Sequence, residues 1–499
     1  WGDYDNDGDL DFLLTGGTQT GFIARIYRND QWSFTDIGAG LPGLYDCSVA
    51  WGDYDNDGDL DVLLTGFTTV GTGYLSEVYR NDAGSFSAIG AGLPGVGFSS
   101  ALWADLDDDG DLDILLTGDT GISKISKIFR NDGGGTFTDA GVGLIGVAHG
   151  SVACADYNND GLLDIMLTGD TGTSKISLVY RNFGGNTFAA GAALTPVSRS
   201  AVAWGDFDND GDPDILLTGD TGSGCVTLLY QNNSDDTFTD VEAGLPGVCD
   251  SSVQWGDADN DGILDILLMG YTGSSYITWV FRTTGFPANI APNAPTNLAA
   301  SVDGNAVTFS WDPASDSETP AAGLSYNLRV GTTPGGGEIL SGMANISSGY
   351  RRVAQLGNVY HRTSYTMQLP AGPDYYCSVQ AIDAGLAASP FAIQIATGVQ
   401  DGAPQPRSFV LHEAVPNPFN PRTTIRYELP HDAWVKLGVY DIAGHLVRTL
   451  IAGEEIAAGQ RETAWDGRND AGRSVASGVY VCRLDAGQHH QAILMTLLK

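Results

Sequence analysis

Short apolar runs bounded by glycine, asparagine and aspartate recur through the first 285 residues or so, and none shows the three-to-four spacing of an amphipathic helix. One stretch reads SSALWAD, the acidic run DLDDDGDLD, ILLTG, SKISKIFRND and GTFTDAG, with β-branched and aromatic residues alternating against polar ones. That pattern predicts strand, acidic loop, strand, turn, strand, turn, strand. The same order returns six times. Trp1, Trp51, Trp103, Cys154, Trp204 and Trp255 mark one place in successive repeats, 50 to 52 residues apart.

A four-stranded unit of this period fits a blade of a β-propeller, whereas a β-helix needs a much shorter repeat. The first repeat lacks a strand before its loop, and the sixth loses the pattern after Phe281 and Arg282. The expectation is an all-β chain: six visible blades of an N-terminally truncated propeller over 1–288, with seven in the parent. The opening at Trp1, inside a motif, reads as a fragment.

Proline and small residues in PANIAPNAPT (287–296) predict a linker. Beyond it, VTFSWD with Trp311, SYNLRVGT with Tyr326, and YYCSVQAID from Tyr375 resemble the core strands of a fibronectin type III sandwich, placed at 292–398. A second joint, DGAPQPRSF at 401–409, leads to VPNPFNPRTTIRYELP, KLGVYDIAGHLVRTL and WDGRNDAGRSVASGVYVCRL. That order resembles the FlgD-like immunoglobulin domain and the C-terminal sorting domain of type IX secretion, placed at 408–499. The resemblance implies export to the bacterial surface and a partner in the secretion machinery.

The acidic runs carry the chemistry. Numbering each from its first aspartate, loop 1 holds Asp3, Asp5, Asp7, Asp9 and Asp11, and loop 2 holds Asp53, Asp55, Asp57, Asp59 and Asp61. Loop 3 holds Asp105, Asp107, Asp109, Asp111 and Asp113; loop 4 holds Asp156, Asn158, Asp160, Leu162 and Asp164. Loop 5 holds Asp206, Asp208, Asp210, Asp212 and Asp214; loop 6 holds Asp257, Asp259, Asp261, Ile263 and Asp265. These are positions 1, 3, 5, 7 and 9, with glycine at position 6 throughout. Calcium takes six to eight oxygens, and alternating carboxylates can converge on it around a tight turn. The departures fall where a side chain is dispensable: Leu162 and Ile263 stand at position 7, where a backbone carbonyl serves, and Asn158 keeps an oxygen.

The spacing resembles the DxDxDGxxD loop of FG-GAP and VCBS repeats and differs from an EF-hand, whose last ligand is a glutamate at position 12. The resemblance implies about one Ca2+ per loop, up to six, acting as staples that fasten strands at a blade rim rather than as ligand-binding centres. The repeated Arg28, Arg80, Arg130 and Arg181, each followed by asparagine, and the Leu-Pro-Gly turns at Leu41, Leu93 and Leu245 read as structural.

Net charge is −37, and residues 1–290 hold 43 acidic against 10 basic side chains, with 28 of the acids inside the loops. A phosphate backbone needs a basic stripe, so nucleic acid is excluded as a partner. No apolar run is long enough to cross a bilayer. The six cysteines share no spacing and make no disulfide framework, although one or two bridges remain open. Of the seven histidines only His149 lies in the repeats, and neither a nucleophile elbow nor a zinc helix is present. The reading is a secreted or surface-attached calcium-binding protein for adhesion or for a glycan or protein ligand. Its alternative is the accessory and export region of an extracellular polysaccharide-active enzyme whose catalytic part lies upstream or goes unrecognised in this sequence.

Overall fold

The structure, a computed structural model, describes residues 1–499 apart from 69–72, 346–347, 371–373, 393, 399–408, 430–432, 457–458, 488 and 499. Every regular element among the described residues is a strand.

The repeats form antiparallel sheets of three or four strands, except that repeats 4 and 5 share one of seven. In the second, Tyr45–Gly52, Asp61–Phe67, Tyr74–Asp82 and Ser85–Ala88 pair in chain order, and in the third Gly97–Ala104, Asp113–Asp119, Lys124–Asn131 and Phe137–Asp139 do the same. One strand of 18 residues, Phe188–Gly205, is both the outer strand of repeat 4 and the inner strand of repeat 5. Repeat 1 begins with a single bridge, Gly2 to Asp11, in place of an inner strand. Repeat 6 has three strands and ends with Tyr276–Phe281.

The core lies between neighbouring sheets, which is why the second strand of each inner repeat reads as an unbroken apolar run buried on both faces. One cluster joins Tyr54, Leu63 and Val78 of repeat 2 to Trp103, Ile114 and Phe129 of repeat 3. The aromatic at position 2 of each loop stacks on the marker tryptophan of the next repeat: Tyr4 on Trp51, Tyr54 on Trp103, Tyr157 on Trp204 and Phe207 on Trp255, with ring planes within 11°. Each such pair adds about 0.5–1.5 kcal/mol beyond burial. Where the marker is Cys154, position 2 of the preceding loop is Leu106, and both belong to one apolar cluster.

A disulfide joins Cys225 to Cys249 across repeats 5 and 6, with Cα atoms 5.3 Å apart; Cys47, Cys154, Cys377 and Cys482 are free.

The chain falls into two compact units, the first holding the repeats and most of the first sandwich, the second centred on the C-terminal module. In the first sandwich, Trp311 of one sheet packs on Tyr326 of the other, with ring centroids 5.7 Å apart. The predicted linker is not a free spacer: Asn289 donates its amide to the Gly262 carbonyl and its side chain to Asp383, and Pro287 accepts from Asn209. The polar atoms of this stretch are tied to loops 5 and 6, so the sandwich sits on the repeats. The second joint lies outside the described residues except for Phe409.

The C-terminal module packs a sheet of Val410–Leu411, Thr423–Leu429 and Gly459–Trp465 on a four-stranded sheet, around Phe419, Trp465, Tyr480 and Met495. Its turns lie at Asp441 to His445 and Asn469 to Arg473.

Candidate metal centre

Each loop is a hairpin connection whose ends are held by position 9. Asp61 accepts the Tyr54 amide at one oxygen (3.1 Å) and the Asn81 amide at the other (2.8 Å). Asp11, Asp113, Asp164, Asp214 and Asp265 do the same in their own loops, all almost wholly buried. Position 1 folds the turn: in loop 2 Asp53 accepts the amides of Asp57 and Gly58, both at 3.0 Å. Position 5 accepts the amide of position 7, as Asp57 does from Asp59 at 2.9 Å. The backbone thus aims the carboxylates of positions 1, 3 and 5 into one space.

Five loops gather three carboxylates whose nearest oxygens all lie within 4.8 Å of one another. These are Asp53, Asp55 and Asp57; Asp105, Asp107 and Asp109; Asp206, Asp208 and Asp210; Asp257, Asp259 and Asp261; and, in loop 1, Asp3, Asp5 and Asp11. Loop 4 does not, because Asn158 stands at position 3; its side-chain oxygen takes the Asp160 amide and its nitrogen donates to Asp164. Among positions 7, Asp9 and Asp212 turn outward: Asp9 takes the amide of Gln31, and Asp212 takes the side chain of Asn159. Asp59 and Asp111 likewise bond to groups outside the triads, and Leu162 and Ile263 offer only backbone. Asp7 and Asp160 each accept the amide of position 7.

The carboxylates fit a hard cation. Asp3 Oδ1, Asp5 Oδ1, Asp55 Oδ1, Asp107 Oδ1 and Asp208 Oδ1 are buried with no hydrogen-bond partner among the described residues. Buried oxygens of this kind are costly unless something satisfies them. Burial first, and neighbouring carboxylates after it, push Asp3 and Asp57 up to about 6, Asp206 up to about 7, and Asp53 well above the usual carboxylate range. At position 9 burial drives Asp164 to about 8 and Asp61 and Asp214 to about 9. A divalent cation at these triads would reverse that balance, and an all-oxygen set at this spread suits calcium, whose opposite ligands lie about 5 Å apart. In loop 6 the guanidinium of Arg282 already lies against Asp259 and Asp261, at 2.5 and 2.8 Å.

Two sets of residues that sequence reading passed over hold loop to loop. Position 4 is asparagine or aspartate in every loop and takes φ between 56° and 62°, a left-handed conformation these residues tolerate. From there Asn6 donates to the Gly58 carbonyl, Asn159 to Gly211 and Asn209 to Gly262, each 3.0–3.1 Å and each in the next loop. Asn56 reaches Asp111 in the same way at 2.7 Å. The second set follows the repeated arginine. Asn131 gives its amide to Asp113 and its side-chain nitrogen to Leu112 and to Tyr54 of the previous loop, and accepts from Gly133. Asn81, Asn182 and Asn232 repeat the pattern, while Arg28, Arg80 and Arg130 lie exposed against the aspartate two residues on. The signal lies in the sequence as periodicity.

The first sandwich covers part of the loop face. Ser341 Oγ donates to Asp3 Oδ2 (2.6 Å), Arg362 Nη1 to Asp105 Oδ2 (3.1 Å) and Tyr365 to Asn56 (2.7 Å), and the Asp206 amide donates to the Ala384 carbonyl (3.2 Å). Between the inner strands and these segments lies a cavity of about 660 Å3. His361 Nε2 and the indole N–H groups of Trp51 and Trp103, all at this cavity, have no partner among the described residues. His149 lies elsewhere, stacked on Phe98 at 3.8 Å.

Comparison with known families agrees with this arrangement. Residues 3–64, 105–167, 156–217 and 206–268 match the FG-GAP-like repeat, and residues 420–489 match the FlgD Ig-like domain. The chain therefore carries FG-GAP-like repeats, and its C-terminal module is a FlgD Ig-like domain. No curated protein matches it. Among solved structures, PorZ of Porphyromonas gingivalis, described as an essential bacterial surface component of the type-IX secretion system, aligns over 95% of this chain and 63% of its own at 11% identity and TM-score 0.26. The FN1–FN3 domains of chicken CNTN1 align over 60% and 98% at 12% identity and TM-score 0.20. Latent PorU of the same bacterium aligns over 67% and 31% at 14% and 0.15. Scores this low carry no weight for fold or function. No helix of the described residues is long and apolar enough to cross a membrane.

Proposed function

We propose that residues 1–288 are six blades of a β-propeller stapled by calcium, in a secreted or surface-attached bacterial protein that binds a glycan or protein ligand. On this reading 292–398 is a fibronectin type III-like module, and 408–499 is the sorting domain that the type IX machinery recognises. The observation that carries it is the recurrence of orphaned, buried carboxylate oxygens at position 3 of loops 1, 2, 3 and 5, which a hard cation satisfies and water-exposed acidic turns do not need. In each loop the residues at 1, 3, 5 and 9 would supply side-chain oxygen and position 7 its carbonyl. The ion's role is to hold two strands and the next loop in register.

Calorimetric titration of the full chain with calcium tests the staple. Five or six ions are expected, and fewer than three would refute it. Glycan and protein arrays, with and without calcium, test the ligand reading: turnover of a polysaccharide would replace adhesion with enzymatic action. Export of a chain lacking residues 408–499 in a type IX-secreting host would remove the sorting role.

A further inference from the structure

Position 1 of loops 1 and 3 is treated differently from its equivalents. Asp53, Asp156, Asp206 and Asp257 take their hydrogen bonds from amides of their own loops. Asp3 and Asp105 each take a bond from a residue more than 200 positions away. Asp3 Oδ2 accepts from Gly8 and from Ser341 Oγ, which leaves its Oδ1 buried and without a partner. Asp105 Oδ2 accepts from Gly110 and from Arg362, and both side chains of that pair are largely shielded from water.

The approach is close. A Cβ added to Gly58 would lie 2.0 Å from the Ile339 carbonyl, and one added to Gly110 would lie 2.4 Å from Arg362 Nη1; both glycines hold left-handed turns, at φ 96° and 103°. Ser341 also donates its amide to Asn6, and Tyr365 its hydroxyl to Asn56, the position 4 side chains. The segments around 339–343 and 360–365 therefore touch the groups whose orientation decides whether three carboxylates converge.

We propose that Ser341 and Arg362 are positioning residues for the metal centres of loops 1 and 3, so that ion binding there and docking of the first sandwich are one coupled equilibrium. This rests on the calcium reading above. A carboxylate that binds a metal through one oxygen is held by donors on the other, and removing such donors weakens ion affinity about 10- to 100-fold. Coupling is reciprocal: if the docked sandwich tightens the ions, the ions tighten the docking by the same factor.

Hydrogen exchange during a calcium titration of the full chain reads each loop separately. In S341A/R362A the midpoints of loops 1 and 3 should rise about tenfold, while loops 2, 5 and 6 move less than about twofold. S341T/R362K, which restores a donor at both places, should return them toward wild type. Chelation of the wild-type chain should also speed exchange at Ser341 and its neighbours, although no acidic triad lies among the described residues of that module. If every loop is protected by calcium but S341A/R362A leaves loops 1 and 3 in step with the others, the coupling is wrong and the staple stands. If no loop responds to calcium, both fall.

Discussion

The repeats and the C-terminal module are both all-β and both tightly packed, yet they keep their interiors in opposite ways. In the C-terminal module the described buried residues are apolar except for Thr423, and its ion pairs, such as Arg426 with Glu462, lie on the surface where they contribute little. In the repeats a carboxylate at position 9 is buried in every sheet and two asparagine ladders run from loop to loop. One region keeps an apolar interior. The other sets negative charge inside itself, and so its stability should answer to cations and to pH.

The largest expected difference is chelation. At a free calcium concentration of 100 times Kd each occupied site contributes about 2.7 kcal/mol, so EDTA should lower the repeat transition in scanning calorimetry by many degrees while the C-terminal transition stays in place. A shift of both, or of neither, would break the contrast.

Next is pH. The position 9 carboxylates of loops 1 to 5, raised to between about 7 and 9, hold protons that the unfolded chain, titrating near 4, has released. More protons are then bound in the folded state, so stability falls as pH rises. The chelated repeats should lose stability steadily from about pH 4 to about pH 9, and denaturant midpoints measured across that range would show it. A flat profile would mean that these groups are ionised at no cost.

Removing the bridge between repeats 5 and 6 with Cys225→Ser should cost about 3 kcal/mol, given its 24-residue separation. Asn131→Ala should cost about 2–3 kcal/mol, since it strands the carbonyls of Tyr54 and Leu112 and the amide of Gly133. Arg80→Ala, next to Asn81 of the same ladder but exposed, should cost less than about 1 kcal/mol. Equal losses for Asn131 and Arg80 would erase the distinction between the ladder and its rim.

Much of this was legible because a metal loop restricts residue type at fixed spacing. The periodic aspartates with Gly8 and its equivalents announce the loops, and the apolar run ILLTG announces a strand covered on both faces. Position 4 was equally periodic, but its meaning depends on a partner in the next repeat, which no single loop reveals. Contacts of Ser341 and Arg362 with loops 1 and 3 leave no periodic trace, because each is made once and across more than 200 residues. The Cys225 to Cys249 pairing depends on two strand starts meeting at 5.3 Å, a distance that spacing does not encode.

The exchange of tryptophan for Cys154, answered by Leu106 instead of tyrosine in the loop before it, bears on how such an array can be lengthened or cut. Each repeat carries half of two different joints, so the repeat is the wrong thing to copy. A designer who pasted repeat 4 after repeat 2 would set Tyr54 against a thiol and leave a hollow where an indole had been. The part that can be transplanted runs from the middle of one sheet to the middle of the next, carrying a matched pair of rings, or the leucine and the thiol, inside it.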